Sequence, residues 1–285
     1  MTNILEAIVN IADLPTLTVK DLTFGNNRAT NVGDGLEEFI KDIFSGNNDV
    51  TNNEVKKSRY QKTFSYEGSK TRPPDLMIRG GDAIEVKKTE SLYSELQLNS
   101  SHPKAKLFSS SQMINLHCKD CESWIEKDII YTIGHIPKKS KTLSSLWMIY
   151  GSIYAADDSV YTDLKNTITA SLESAPGLDF SETNELGRVN FVDPLKITNM
   201  RIRGMWLLKP PVKVFDYVYN YNQDLKFQLV AIIPLDKYEN FPRDSINKIE
   251  NHNKKIITIS DIDIKNPNNP VKYIKCKLIL ILIKD

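Results

Sequence analysis

Pro74-Asp75-Leu76-Met77-Ile78-Arg79-Gly80-Gly81-Asp82-Ala83-Ile84-Glu85-Val86-Lys87 reads as two short apolar segments joined by a Gly-Gly-Asp turn, the composition expected of a β-hairpin. Side chains alternate along a strand, which puts Glu85 and Lys87 on one face and Ile84 and Val86 on the other. Pro74 has no N–H to give to a sheet and suits the mouth of the first strand, with Asp75 beside it. Pairing across the turn brings Asp75 towards Glu85. Two carboxylates and one amine then share one side of a small sheet.

Carboxylates this close repel each other unless a cation lies between them, and hard oxygen ligands select Mg²⁺ or a similar ion. Such an ion activates water and neutralises charge on a phosphodiester. A lysine one pleat further on orients that water, or takes its proton where its pKa is lowered. This Pro-Asp…(Asp/Glu)-x-Lys layout occurs in many nucleases. As a bare pattern it is short, and the competing reading is a surface hairpin with solvated charges. Its setting favours the nuclease, because apolar residues flank each polar position with strand period and a turn lies between.

The 285 residues are 40% hydrophobic and 26% charged, enough for one large globular domain. Thirty-seven basic against thirty-six acidic residues leave a formal charge of +1, so any basic surface for nucleic acid is local. No basic-then-apolar signal segment opens the sequence. The apolar run Leu278-Ile279-Leu280-Ile281-Leu282-Ile283 is too short for a bilayer and predicts a buried strand. Cys118-x-x-Cys121 has no second pair to complete a zinc site, and with Cys276 it reads as packing. These features predict a reduced, cytoplasmic protein without a membrane segment.

Residues 4–11 predict a short amphipathic helix. Gly33-Asp34-Gly35 leads into a second helix over 36–44, with Asp34 as N-cap and Leu36, Phe39, Ile40, Ile43 and Phe44 on one apolar arc. Glu37 lies at the edge of that arc, either at the rim of the site or simply solvated, and Glu38 is exposed. Basic and aromatic residues interleave from Lys56 through Lys62 and Phe64 to Lys70 and Arg72, a pattern suited to a backbone-contacting arm or a solvated face. Leu98-Asn99-Ser100-Ser101-His102-Pro103-Lys104 reads as a loop following the Lys87 strand. Its short donors are placed to hold a DNA backbone or base edge, or to cap the loop.

A helix over 113–125 followed by strands over 128–134 and 146–151 is the crossover expected of a mixed sheet flanked by helices. Another helix is predicted over 157–172. A polar loop with Glu182, Asn184, Glu185 and Arg188 follows, then a strand over 197–206 with Arg201 and Arg203 on one face. Two arginines so spaced suit guanine edges or phosphates. The remainder is β-rich, over 256–259 and 271–283. No internal repeat, phosphate-cradling glycine loop or zinc quartet is present.

Several separated blocks resemble the type II restriction endonucleases typified by NgoPII. They are Gly33-Asp34-Gly35-Leu36-Glu37-Glu38-Phe39, Pro73-Pro74-Asp75, Gly81 through Lys88, Leu98 through Pro103, Phe180-Ser181-Glu182-Thr183 with Glu185-Leu186-Gly187, and Arg201 through Trp206. Together they cover roughly residues 30–206. The resemblance implies a PD-(D/E)xK restriction-endonuclease-like α/β core. It also implies Mg²⁺ as cofactor and a homodimer cutting double-stranded DNA at a short GGCC-like palindrome. Asp75, Glu85 and Lys87 take the catalytic roles, with Glu37 beside them and the Val86 carbonyl joining the metal ligands. Asn99, Ser100, Ser101, His102, Lys104, Arg188, Arg201 and Arg203 are the candidate DNA contacts. A cognate DNA methyltransferase belongs to such a system without direct contact. The chain is expected to be a single endonuclease domain. Its catalytic core spans about residues 30–150, and recognition and dimer elements span about 151–285. A repair or recombination nuclease on the same hairpin, or a DNA-binding protein without activity, are the other classes the residues allow.

Overall fold

A computed structural model describes residues 2–14, 17–18, 28–68, 72–111, 113–181, 183, 185–253 and 256–284. Lys70, Glu182 and Asn184 lie outside the described residues. In chain order, α1 (Ile4–Asp13), α2 (Arg28–Ser45) and α3 (Asn53–Thr63) precede β1 (Phe64–Glu67), β2 (Leu76–Ile78) and β3 (Ala83–Thr89). β4 (Leu96–Gln97), β5 (Lys106–Phe108) and α4 (Leu116–Asp120) lead to β6 (Glu126–His135) and β7 (Ser145–Tyr150). Next come α5 (Asp158–Glu173), β8 (Asp179–Ser181), β9 (Gly187–Asn190), β10 (Met200–Ile202) and β11 (Leu207–Leu208). α6 (Pro211–Val214), β12 (Phe227–Pro234), α7 (Leu235–Glu239), α8 (Arg243–Glu250), β13 (Ile257–Asn266) and β14 (Asn269–Ile283) complete the described elements.

The central sheet runs β1-β2-β3-β6-β7-β12-β14-β13, with β5 also paired to β6. β3/β6 and β7/β12 are parallel and the other pairs antiparallel. The mixed sheet flanked by helices, with its C-terminal strands, is therefore the architecture the sequence predicts. Its centre is dry, since every residue of β7 and β12 is buried, as expected of strands covered on both faces. A separate three-stranded sheet runs β10-β9-β8. No helix among the described residues is long and apolar enough to cross a membrane.

Helix α2 is longer than predicted, and Gly33-Asp34-Gly35 lies inside it, so Asp34 is not the N-cap. Glycine costs a helix about 1 kcal/mol, but Leu36, Ile40, Ile43 and Phe44 are buried, and tertiary packing outweighs that local preference. Leu36 packs onto Gly134 of β6, where any Cβ would meet its methyl groups.

The helix expected over 113–125 shrinks to α4, capped by the Asn115 side chain. Trp124 Nε1 donates to the Cys118 carbonyl at 3.1 Å, which turns the chain back, and Ile125 is 82% exposed. Cys118 is buried, with its sulfur 3.3 Å from that of Met77. The strand expected over 197–206 is β10 alone. Asp193 accepts the N–H groups of Leu195, Ile197 and Thr198, an Asx-type loop that competes with strand pairing.

The basic and aromatic stretch is not an extended arm. Most of it is α3, where Lys56 is buried and bonded to Asp42 at 2.5 Å, and Tyr60 donates to the same carboxylate. Glu38, read as exposed, is half-buried and lies 3.8 Å from Lys56.

Candidate active site

β2 and β3 form the hairpin, with Leu76 opposite Ile84 and Met77 opposite Ala83. Leu76, Met77, Ile78, Ala83 and Ile84 are buried, and this apolar anchorage sets the register that aims the polar side chains outward. The turn between them is fastened from several sides. Gly80 takes a φ of 64°, open to glycine at no steric cost, and its N–H donates to Glu122 at 2.9 Å. Lys127 donates to the Gly81 carbonyl at 2.6 Å. Asp82 receives Lys237 at 2.6 Å and the Tyr150 hydroxyl at 2.7 Å, and Lys237 also reaches Asp128 at 2.7 Å. A hairpin held this firmly is a rigid support for chemistry at its open end.

At that end Asp75, Glu85 and Lys87 line one cleft. Asp75 N–H donates to the Ile84 carbonyl at 3.1 Å, and its own Oδ2 accepts the Val86 N–H at 2.7 Å. Lys87 Nζ lies 2.6 Å from Glu85 Oε1. Burial, then the neighbouring Glu85 charge, pushes the Asp75 carboxyl up to about 8, against the opposing pull of Lys87. Burial pulls the Lys87 ammonium down, but Glu85 and Asp75 outweigh it and its pKa stands above the ordinary lysine value. Lys87 is thus held as an ammonium beside Glu85.

The residues suit a hard cation. Glu85 is buried, and its Oε2 has no hydrogen-bond partner, an arrangement costly for a carboxylate unless a ligand completes it. No group of three or more His, Cys, Asp or Glu side chains among the described residues has metal-binding geometry. A cation held by Asp75 and Glu85 would need its other ligands from backbone oxygen and water, which suits the coordination habits of Mg²⁺.

Asn99, Ser101, His102, Lys104, Tyr131 and Arg72 line the same cleft. Tyr131 was not legible in the sequence, because it enters only through the parallel pairing that sets it opposite Glu85. Ser100 points elsewhere, 3.4 Å from Arg203 Nη2. Glu37 does not line the cleft; it is paired with Lys41 at 3.2 Å, and its charge acts weakly on both Asp75 and Lys87. Arg188, Arg201 and Arg203 lie outside the cleft. Arg201 sits directly opposite Arg188 on the small sheet. It grips Glu185 with two bonds of 2.6 and 2.9 Å, and Arg203 shares that carboxylate at 2.9 Å.

One glycine ties the strand before the hairpin to the site. Gly68 N–H donates to the Asp75 carbonyl at 2.6 Å, and a Cβ on Gly68 would stand 2.5 Å from the Pro74 carbonyl oxygen. Gly68→Ala is expected to displace the Asp75 backbone and to slow cleavage about 10- to 100-fold. The measurement is a cleavage time course beside a melting curve. A loss of activity no larger than the loss of folded protein would refute the positional effect.

The family model described as NgoPII restriction endonuclease matches residues 2–265 of the chain. Over 278 residues the chain is 48% identical to "Type II restriction enzyme NgoPII" of Neisseria gonorrhoeae, covering 97% of this chain and 98% of that protein. No solved structure matches it. The family match reaches well past residue 206, where the resemblance in sequence blocks ends.

Proposed function

Because the chain belongs to the NgoPII restriction endonuclease family, we propose that it cuts both strands of DNA at a short GC-rich, GGCC-like palindrome, with Mg²⁺ as cofactor and 5′-phosphates as products. The observation that carries this reading is the meeting of Asp75, Glu85 and Lys87 in one cleft, on a hairpin anchored from below. Asp75 and Glu85, with the Val86 carbonyl, would hold the ion. When bound, Mg²⁺ supplies positive charge against the phosphate and its attacking oxygen.

The chain's own groups do the rest. Lys87, an ammonium beside Glu85, donates a hydrogen bond to water and holds it in line with phosphorus. The water oxygen forms the new P–O bond as the P–O3′ bond breaks, leaving a 5′-phosphate on one fragment and a 3′-hydroxyl on the other. Glu37 adds a smaller negative charge to those of Glu85 and Asp75 in favouring the Lys87 ammonium.

Asn99, Ser101, His102 and Lys104 border the cleft and Ser100 adjoins Arg203, which suits contacts to the DNA backbone near the cut. Arg188 and Arg201 on the small sheet, and Arg203 just past its β10 strand, suit base edges or phosphates, which compete with Glu185 for the two later arginines. A palindrome calls for one site per strand and so for a two-fold dimer. Helix α5 buries none of its residues, and Val160 and Leu164 are 54% and 48% exposed, which supports a second copy seated there. In this reading the chain is one endonuclease domain, with the catalytic core at about residues 30–150 and recognition and dimer elements beyond. It works in the cytoplasm alongside a methyltransferase that marks the same site without touching this protein.

The test is to incubate genomic DNA with the protein and Mg²⁺ and to sequence the ends. Discrete cuts at one GC-rich palindrome, with 5′-phosphates, are expected. Cutting confined to branched or damaged DNA would indicate a repair nuclease, and binding in EDTA without cutting would indicate a DNA-binding protein.

A further inference from the structure

Besides Lys87, the cleft is lined by a buried cation that the hairpin does not supply. Lys104 is only 5% exposed, yet it lines the same cleft as Asp75, Glu85 and Lys87. Its backbone N–H donates to the Tyr131 hydroxyl at 2.6 Å, and Tyr131 is the residue paired with Glu85. Its carbonyl lies so close to Gly151 that a Cβ there would collide with it. The segment is thus fixed to the same strands that carry the catalytic hairpin.

The ammonium end is held as firmly. Lys104 Nζ lies 2.5 Å from Asp158 Oδ1 and 2.6 Å from His102 Nε2. Asp158 opens helix α5, an end that favours negative charge. The backbone N–H just before it, on Asp157, donates to the Asn268 side chain at 2.8 Å, at the tip of the β13–β14 hairpin. His102 stacks on Tyr161 of the same helix, ring centres 5.0 Å apart, and meets the Trp206 ring edge-on. An ammonium has three donors. Asp158 takes one; His102 Nε2, itself 2.7 Å from the same Asp158 oxygen, takes at most one more, so at least one donor has no partner among the described residues.

We propose that Lys104 is a second catalytic cation, its free donor binding a non-bridging oxygen of the scissile phosphate, and that Asp158 is the positioning residue that holds it there. The inference rests on the nuclease reading and adds to it a second contact in the same cleft. A buried ammonium without its carboxylate would be desolvated and unpaired, so Asp158 fixes both the charge and the direction of Lys104. His102, whose Nε2 lies 2.7 Å from the same Asp158 oxygen, then acts as a spacer between helix α5 and Lys104.

The experiment uses an oligonucleotide duplex built on the wild-type cleavage site, in single-turnover reactions, with DNA affinity measured separately in the absence of cleavage. Lys104→Met is expected to slow the chemical step about 100-fold, the effect of losing one preorganised donor to a developing charge. Asp158→Asn should slow it about 10-fold, with DNA affinity changed less than threefold in both. Lys104→Arg should recover part of the rate. Sulfur in place of the contacted non-bridging oxygen should slow the wild type but add little to Lys104→Met, since both remove one interaction. Full multiplication of the two penalties in folded protein would overturn the proposal, as would a rate loss that follows DNA affinity alone. A wild type that cuts nothing removes the nuclease reading and this contact with it. Wild-type cleavage matched by Lys104→Met and Asp158→Asn removes only the contact.

Discussion

Asp75→Asn is expected to abolish DNA cleavage and, in the same protein, to raise the melting temperature in metal-free buffer. Both effects have one cause. The Asp75 carboxyl is pushed up to about 8 by burial and by Glu85, whereas in an unfolded chain it titrates near the ordinary aspartate value. Between those two values the folded state binds the extra proton, so stability falls as pH rises from about 4 to about 8 and is flat above that. An amide at this position titrates nowhere and still offers an oxygen to the Val86 N–H. At pH 8 the variant should be more stable by about 2 kcal/mol. Below pH 4 the difference should vanish.

Mg²⁺ should raise the wild-type melting temperature, because an ion that binds only the folded state stabilises it, and should leave the variant unmoved. Cleavage should fall by about a thousandfold or more. Melting curves at pH 4, 6 and 8, with and without Mg²⁺, decide the matter. A variant less stable than wild type at pH 8 would show that Asp75 is not under electrostatic stress.

Lys87→Met is expected to be as inactive but to move stability the other way. The ammonium 2.6 Å from Glu85 is the cation that the two carboxylates share. Without it both stand in a buried site unpaired, a loss of about 3 kcal/mol for a broken buried pair. Added Mg²⁺ should then stabilise this variant more than it does the wild type, since no ammonium competes for the carboxylates, while cleavage stays about a thousandfold down. Metal-induced melting shifts thus separate a residue that holds the ion from one that holds the water. Ordinary turnover by folded Lys87→Met would take this lysine out of the reaction.

The β2–β3 hairpin was legible because its information is local. Strand alternation, a Gly-Gly-Asp turn and a proline at the strand mouth are all read within 14 residues, and the structure pairs Leu76 with Ile84 accordingly. The rest of the cleft was not, because it forms between distant segments. Lys104 and Asp158 meet across 54 positions of sequence, and Tyr131 reaches the cleft only through a parallel pairing that no turn announces. Local signals also misled where tertiary packing or side-chain bonds overruled them. Gly33-Asp34-Gly35 carries the composition of a helix start, yet the buried arc of α2 extends the helix through it. Arg201 and Arg203 were visible as a pair, but their common hold on Glu185 was not.

The placing of β14 between β12 and β13 also bears on how the enzyme is made. β12 leaves the ribosome first, and its eight buried residues wait with one edge unpaired until the β13–β14 hairpin follows. A nascent chain broken off in that interval bears an apolar open edge, the kind that aggregates or invites proteolysis.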